Sequence, residues 1–150
     1  MKRSTIGLIL AGILLLALSN STLGQVGVGL KVPSTEVFVA TTLSDGLMIE
    51  AGVPILALTN GVFTVVVDGK LMISSFNVAD RPLIPFVGAG VAVTPFATAL
   101  IISPHGMAGM EFRLGEPHLA LFLELGAGVA FTSVGMVVGF NGQAGARLSF

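Results

Sequence analysis

Cysteine, tryptophan and tyrosine are absent from the 150 residues, histidine occurs twice, and charged side chains make up only 10% of the chain. Without Cys there is no disulfide scaffold and no Cys-based zinc site. A soluble domain typically carries about 25% charged residues, so this chain has less than half the usual means of presenting a charged surface to water. Seven Lys+Arg against eight Asp+Glu give a formal net charge of −1. With no basic run beyond Lys2-Arg3, a nucleic-acid partner is not expected. What is abundant is apolar: 53% hydrophobic residues, together with 20 Gly. That composition excludes a disordered chain. It leaves one domain that meets an apolar solvent or buries nearly everything.

The first residues read as an export signal. Met1-Lys2-Arg3 is a positive start, an apolar run follows from Ile6 to Leu18, and Ser19-Asn20-Ser21-Thr22-Leu23-Gly24 makes a small-residue exit. This order describes a secretory signal peptide, with cleavage expected after Gly24 or, as the alternative, after Ser21. The apolar run is shorter than the roughly 20 residues a helical span needs. The expected organisation is therefore a signal peptide over 1–24 and a single domain over 25–150.

Beyond residue 24, the two longest stretches without Asp, Glu, Lys and Arg are Pro82 to Met110 and Leu125 to Ala146. Hydropathy alone would make both membrane helices, but the first holds four prolines and the second six glycines, and interior Gly costs a helix about 1 kcal/mol each. Parity separates the two readings. From Leu119 to Phe131 the odd positions are Leu, Leu, Leu, Leu, Ala, Val and Phe, while Glu124 and most of the glycines are even. From Val134 to Phe150 every strongly polar side chain (Asn141, Gln143, Arg147, Ser149) falls on the odd row and the even row stays apolar. A period of two means strands. Ser44-Asp45-Gly46, Asn60-Gly61, Asp68-Gly69 and Gly115-Glu116-Pro117 punctuate these runs as candidate hairpin turns.

A soluble barrel would turn the apolar rows inward and leave a few charges, thinned by glycine, to solvate the whole surface. The inverse arrangement fits better: apolar rows toward lipid and a small, polar row filling a narrow interior. Eight membrane strands use about 80 residues, twelve leave almost nothing for turns, and sixteen cannot be built from this length. The predicted fold is thus all-β, an antiparallel up-and-down transmembrane barrel of about eight strands, over 26–42, 47–55, 61–67, 71–78, 83–94, 105–114, 118–131 and 134–150. Pro33-Ser34 is marked as a bulge or a separate turn within the first of these.

The segment Met110-Glu111-Phe112-Arg113-Leu114-Gly115-Glu116, continuing through Leu119-Ala120-Leu121-Phe122-Leu123-Glu124-Leu125, resembles the penultimate hairpin of small bacterial outer-membrane β-barrel proteins. The final Phe150, with Leu148 on the same row, resembles the C-terminal signal such proteins present to the barrel-assembly machinery. The resemblance implies the bacterial outer membrane as location, outer-membrane lipid and that machinery as partners, and no cofactor. The chain departs from the group in lacking Tyr and Trp girdles; its ten Phe are the only aromatics.

Glu50, Glu111, Arg113, Glu124, Gln143 and Arg147 are the residues expected to face the barrel axis together. They suit either an ion path or an ion-pair network that plugs the interior, and the plug is the simpler expectation because buried charges must be paired. His105 and His118 invite a hydrolytic triad with Ser103 or Ser133 and a Glu, but as residues near strand starts they are expected to be solvated and apart. Gly88-x-Gly90 and Gly126-x-Gly128 open no helix and so lack the mechanism of a phosphate loop. Thr94 to Pro104 is either an apolar loop or a strand extension. The expectation is a non-enzymatic structural, anchoring or surface-binding protein of the outer membrane. The alternatives are a small pore, a helical inner-membrane protein spanning at 47–67, 83–103 and 118–140, and a secreted soluble β-protein with an apolar ligand.

Overall fold

The computed structural model describes residues 25–44, 46–79, 81–96, 99–115, 119–132 and 135–150; the signal peptide expected at 1–24 lies outside them. The elements are β1 (Val26–Val32), β2 (Glu36–Ser44), β3 (Leu47–Pro54), a short helix α1 (Ile55–Thr59), β4 (Val65–Met72), β5 (Phe76–Val78), β6 (Arg81–Phe96), β7 (Ala99–Leu114), β8 (Leu119–Thr132) and β9 (Gly135–Ser149). Every pairing is antiparallel. β1 pairs with β9 and β4 with β6, so eight strands close into a barrel, and β5 adds a short ribbon beside the start of β6. Gln25 and Phe150 lie at the same rim, here the lower one, where the Phe150 N–H donates to the Val26 carbonyl at 2.8 Å.

The alternation expected from sequence governs both faces. Leu119, Leu121, Leu123 and Leu125 of β8 pair in register with Leu148, Ala146, Ala144 and Gly142 of β9 on the outside, and Leu125 is 72% exposed. The inner rows bury Phe38, Ala40, Met48, Phe86, Met107 and Phe122 as one cluster. Among the described strand residues every charged side chain belongs to an inner row except Arg81, the first residue of β6. Within the stretches proposed for helical spans the described residues are mostly strand, with the five-residue α1 as the one helix, and no helix among the described residues is long and apolar enough to cross a membrane.

Small and large side chains interlock across the inner rows. Phe38 faces Gly29 on β1, Phe86 faces Gly109 on β7, and Phe122 faces Gly145 on β9. A Cβ built on any of the three glycines runs into the ring opposite, so each ring reaches over bare backbone, which covers the glycine and fills the barrel. Phe38 and Phe122 then meet edge to face, with centroids 5.9 Å apart. Gly145→Val is expected to lower stability by about 1–3 kcal/mol through overpacking, read as an earlier urea midpoint.

Three boundaries differ from the sequence reading. Residues 26–42 form two strands, because Pro33 lacks an N–H for the ladder and the chain reverses through Pro33-Ser34-Thr35, with Thr35 at a φ of 51°. Conversely, Asp68-Gly69 is no turn: both residues lie inside β4, whose register runs unbroken from Val65 to Met72 against β6. Asp68 is drawn into the barrel by cationic partners described below, which outweighs its preference for turns. Thr94 to Phe96 and Ala99 to Pro104 are strand, and residues 97–98 lie outside the described residues. One strand gained and one lost leave the count at eight. Gly46 keeps the positive φ of a hairpin turn at 86°, whereas Asn60-Gly61, with Gly61 at 76°, closes α1 and makes no hairpin: the Asn60 N–H donates to the Leu56 carbonyl and the Gly61 N–H to that of Leu58.

The wall is uneven. β1 to β4 have 7 to 9 residues, whereas β6 to β9 have 14 to 16. The β1–β9 ladder ends at Val32 opposite Ala144, so β9 from Gly135 to Gln143 is paired through β8 alone. At the β1–β9 seam the long strand thus rises above the short one at the upper rim, whereas at the β4–β6 seam β6 passes β4 by three residues above and by five below, where β5 lies alongside.

Candidate functional site

The barrel interior is crossed by a layer of ionisable side chains. Lys31, Glu36, Glu50, Asp68, Lys70, Glu111, Glu124 and Arg147 are all buried. Register places them, because Glu50 lies opposite Asp68, Lys31 opposite Glu36, and Glu124 opposite Gln143. Lys31 Nζ sits among four carboxylates: Glu50 at 3.0 Å, Asp68 at 3.1 Å, Glu124 at 3.4 Å and Glu36 at 3.6 Å. Lys70 Nζ donates to Glu124 Oε2 at 2.7 Å and lies 2.8 Å from Glu50. The same ammonium is 4.8 Å from the Phe86 ring centroid and 5.0 Å from that of Phe122, so the rings add cation–π attraction to the ion pairs.

Toward the lower rim, Arg147 lies 2.8 Å from Glu111 and directs a second nitrogen at the Met48 sulfur. Arg113 Nε also donates to Glu111 at 2.8 Å, but its side chain is 51% exposed. Glu50, Glu111, Glu124 and Arg147 therefore converge as the sequence pattern suggested, Arg113 joins them only from the rim, and Gln143 stands aside. The Gln143 amide oxygen instead accepts from Ser34 Oγ at 3.4 Å.

Sequence reasoning missed Lys31, Glu36, Asp68, Lys70 and His105. Their signal was parity once more: Asp68 and Lys70 alternate with Val67, Gly69 and Leu71, and Glu36 alternates with Val37 ahead of Phe38 and Ala40. Treating Pro33 as interior to a strand and Asp68-Gly69 as a turn hid it.

His105 is the clearest correction. It stands inside β7 rather than at a strand start, and its ring is largely enclosed. Nε2 donates to Asp68 Oδ1 at 2.9 Å, while Nδ1 faces the Ser103 carbonyl at 3.3 Å. Both nitrogens face acceptors, an arrangement that the doubly protonated ring satisfies in full. Neither nitrogen is left to activate a hydroxyl, so His105 offers no base for a triad with Ser103. His118 and Ser133 lie outside the described residues.

Two hollows flank the layer. The upper one, of about 380 Å³, is lined by Lys31, Glu36, Asp68, His105 and Glu124 below and by residues such as Val66, Ala92, Ala130 and Val137 above. The lower one, of about 400 Å³, is bounded by Thr42, Met48, Met72, Ile84 and Arg113 among others. They share no lining residue, and the ion pairs and phenylalanines fill the section between them. No group of His, Asp and Glu among the described residues has the arrangement to hold a metal ion.

No protein-family model and no curated protein matches the chain. Among solved structures, one described as "De novo design of transmembrane beta-barrels" is similar at 22% sequence identity with a TM-score of 0.45, over 85% of this chain and 93% of that one.

Proposed function

We propose that the chain is an outer-membrane β-barrel with a plugged interior, a membrane-embedded structural or binding protein and not a channel or an enzyme. The observation that carries this reading is the segregation of the two faces: apolar outer rows all round, with every strand charge but Arg81 turned inward. Along β8 the apolar outer row from Leu119 to Phe131 spans about 30 Å at an ordinary strand rise and tilt, enough for a bilayer core. Export by residues 1–24 belongs to the same proposal. So does delivery to the assembly machinery by a C-terminal strand whose outer row ends in Leu148 and the exposed Phe150.

Refolded protein is expected to migrate faster on a cold detergent gel than after boiling, and to stay in membranes through carbonate extraction. A mature chain fully soluble without detergent would overturn the assignment. In planar bilayers the plugged section predicts no steady openings, whereas regular single-channel steps would favour a small pore.

A further inference from the structure

The carboxylates around the upper hollow are unequally served. Glu36, Glu50, Asp68 and Glu124 share two ammonium groups, Lys31 and Lys70. Arg147 and Arg113 hold Glu111 on the other side, and Arg147 also reaches Glu50 at 4.0 Å. A cationic His105 lies 2.9 Å from Asp68, and Lys70 lies 2.8 Å from Glu50 and 2.7 Å from Glu124. The carboxylate served least is Glu36. Its side chain is 96% enclosed, it lines the hollow, and its one cationic neighbour, Lys31, is 3.6 Å away, beyond hydrogen-bond reach. A buried carboxylate without a hydrogen-bond partner is costly. It is a vacancy for a positive donor.

The walls above are of a different kind. Val66, Ala92, Val129, Ala130 and Val137 are apolar and Gly128 adds no side chain, so the hollow is greasy above and anionic at its floor. It also has a side entrance. Above Val32 the short strands end, while β9 continues to Gly135 with Val137 and Phe140 exposed. Ser34 Oγ donates to Gln143 at 3.4 Å across the gap between the turn after β1 and β9, and a chain-like molecule lying in the surrounding lipid reaches the hollow there by parting that one contact.

We propose that the upper hollow binds an amphipathic amine, its ammonium donating to Glu36 and its hydrocarbon chain lying along Ala92, Ala130 and Val137. This rests on the membrane-barrel reading and adds the ligand class. The opposite polarity, an anionic amphiphile, would place a second uncompensated negative charge beside Glu36.

The test is calorimetric titration of octylamine into the refolded full-length mature chain in a neutral detergent, with octanoate and octanol as controls and protein-free micelles as the blank. Saturable one-to-one binding of octylamine is expected, at least tenfold tighter than that of octanoate. Glu36→Gln removes the charge at nearly constant volume and is expected to weaken octylamine at least tenfold. Ala130→Phe fills the hollow without touching a charge and is expected to abolish binding. Each variant is checked for the heat-modifiable shift. Octylamine heats equal to the micelle blank, or equal in all three proteins, would overturn the site, as would octanoate binding equally well. A chain with no heat-modifiable shift would overturn the membrane barrel itself, whereas a shifted band with a flat titration overturns the ligand site alone.

Discussion

Lys31→Met is expected to destabilise the barrel by about 3–5 kcal/mol, the usual consequence of removing one member of a buried charge network. The hydrocarbon stem is retained by Met, so the loss isolates the ammonium. Of the four carboxylates within 3.6 Å of Nζ, Glu50 and Glu124 then keep Lys70, Asp68 keeps His105, and Glu36 keeps no cation within 4.0 Å among the described residues. In that interior each negative charge repels the next with little screening by water. The stem also lies against the Phe38 ring, with Nζ 5.1 Å from its centroid, and that attraction goes with the charge. Glu36→Gln in the same background removes one of the stranded anions and is expected to recover part of the loss. The measurement is the urea midpoint of refolding into vesicles for the wild type, the two single variants and the double variant. A Lys31→Met midpoint equal to that of the wild type would mean the carboxylates are neutral or hydrated, contrary to the close pairing described.

Leu125→Arg separates lipid from water by the sign of its effect. Leu125 is near the middle of the outer row of β8 and is largely exposed. In water, replacing an exposed leucine by arginine would be neutral or favourable. At a bilayer midplane the same change costs about 2–4 kcal/mol, falling to about 0–1 kcal/mol at the interface. Phe150→Arg, at the lower rim, therefore serves as the internal control on the same face. Destabilisation at 125 that is absent at 150 is expected in vesicles, and equal small effects at both would remove the membrane from the account.

How far the sequence spoke depended on how long each alternation ran. β8 and β9 alternate over 14 and 15 residues, and their inner and outer rows follow from parity alone, as does the convergence of Glu111, Glu124 and Arg147. In β1 the alternation lasts 7 residues before Pro33, too short to separate the strand from its neighbour. β4 was split because Asp68-Gly69 has the local chemistry of a tight turn. Its strand conformation is imposed by partners far away in sequence: Lys31 on β1 and His105 on β7. Half of the charge layer was hidden by these two misdivisions, since Lys31 and Glu36 lie on β1 and β2, which the sequence reading joins into one strand, and Asp68 and Lys70 lie on β4, which it splits. The upper hollow was not legible at all. It arises from the unequal heights of the walls, a property of pairing between strands and not of any one of them.

That inequality also acts on what surrounds the protein. Seven residues of β1 rise only about 18 Å at an ordinary tilt, against the roughly 30 Å thickness of bilayer hydrocarbon. In the bilayer proposed to surround it, acyl chains along the β1 flank would have to shorten or splay while those along β7–β9 stand at full length, or the whole cylinder would lean toward its low side. Either response gives the molecule a fixed bearing relative to its lipid neighbours, with a locally thinned annulus on one flank that favours shorter acyl chains.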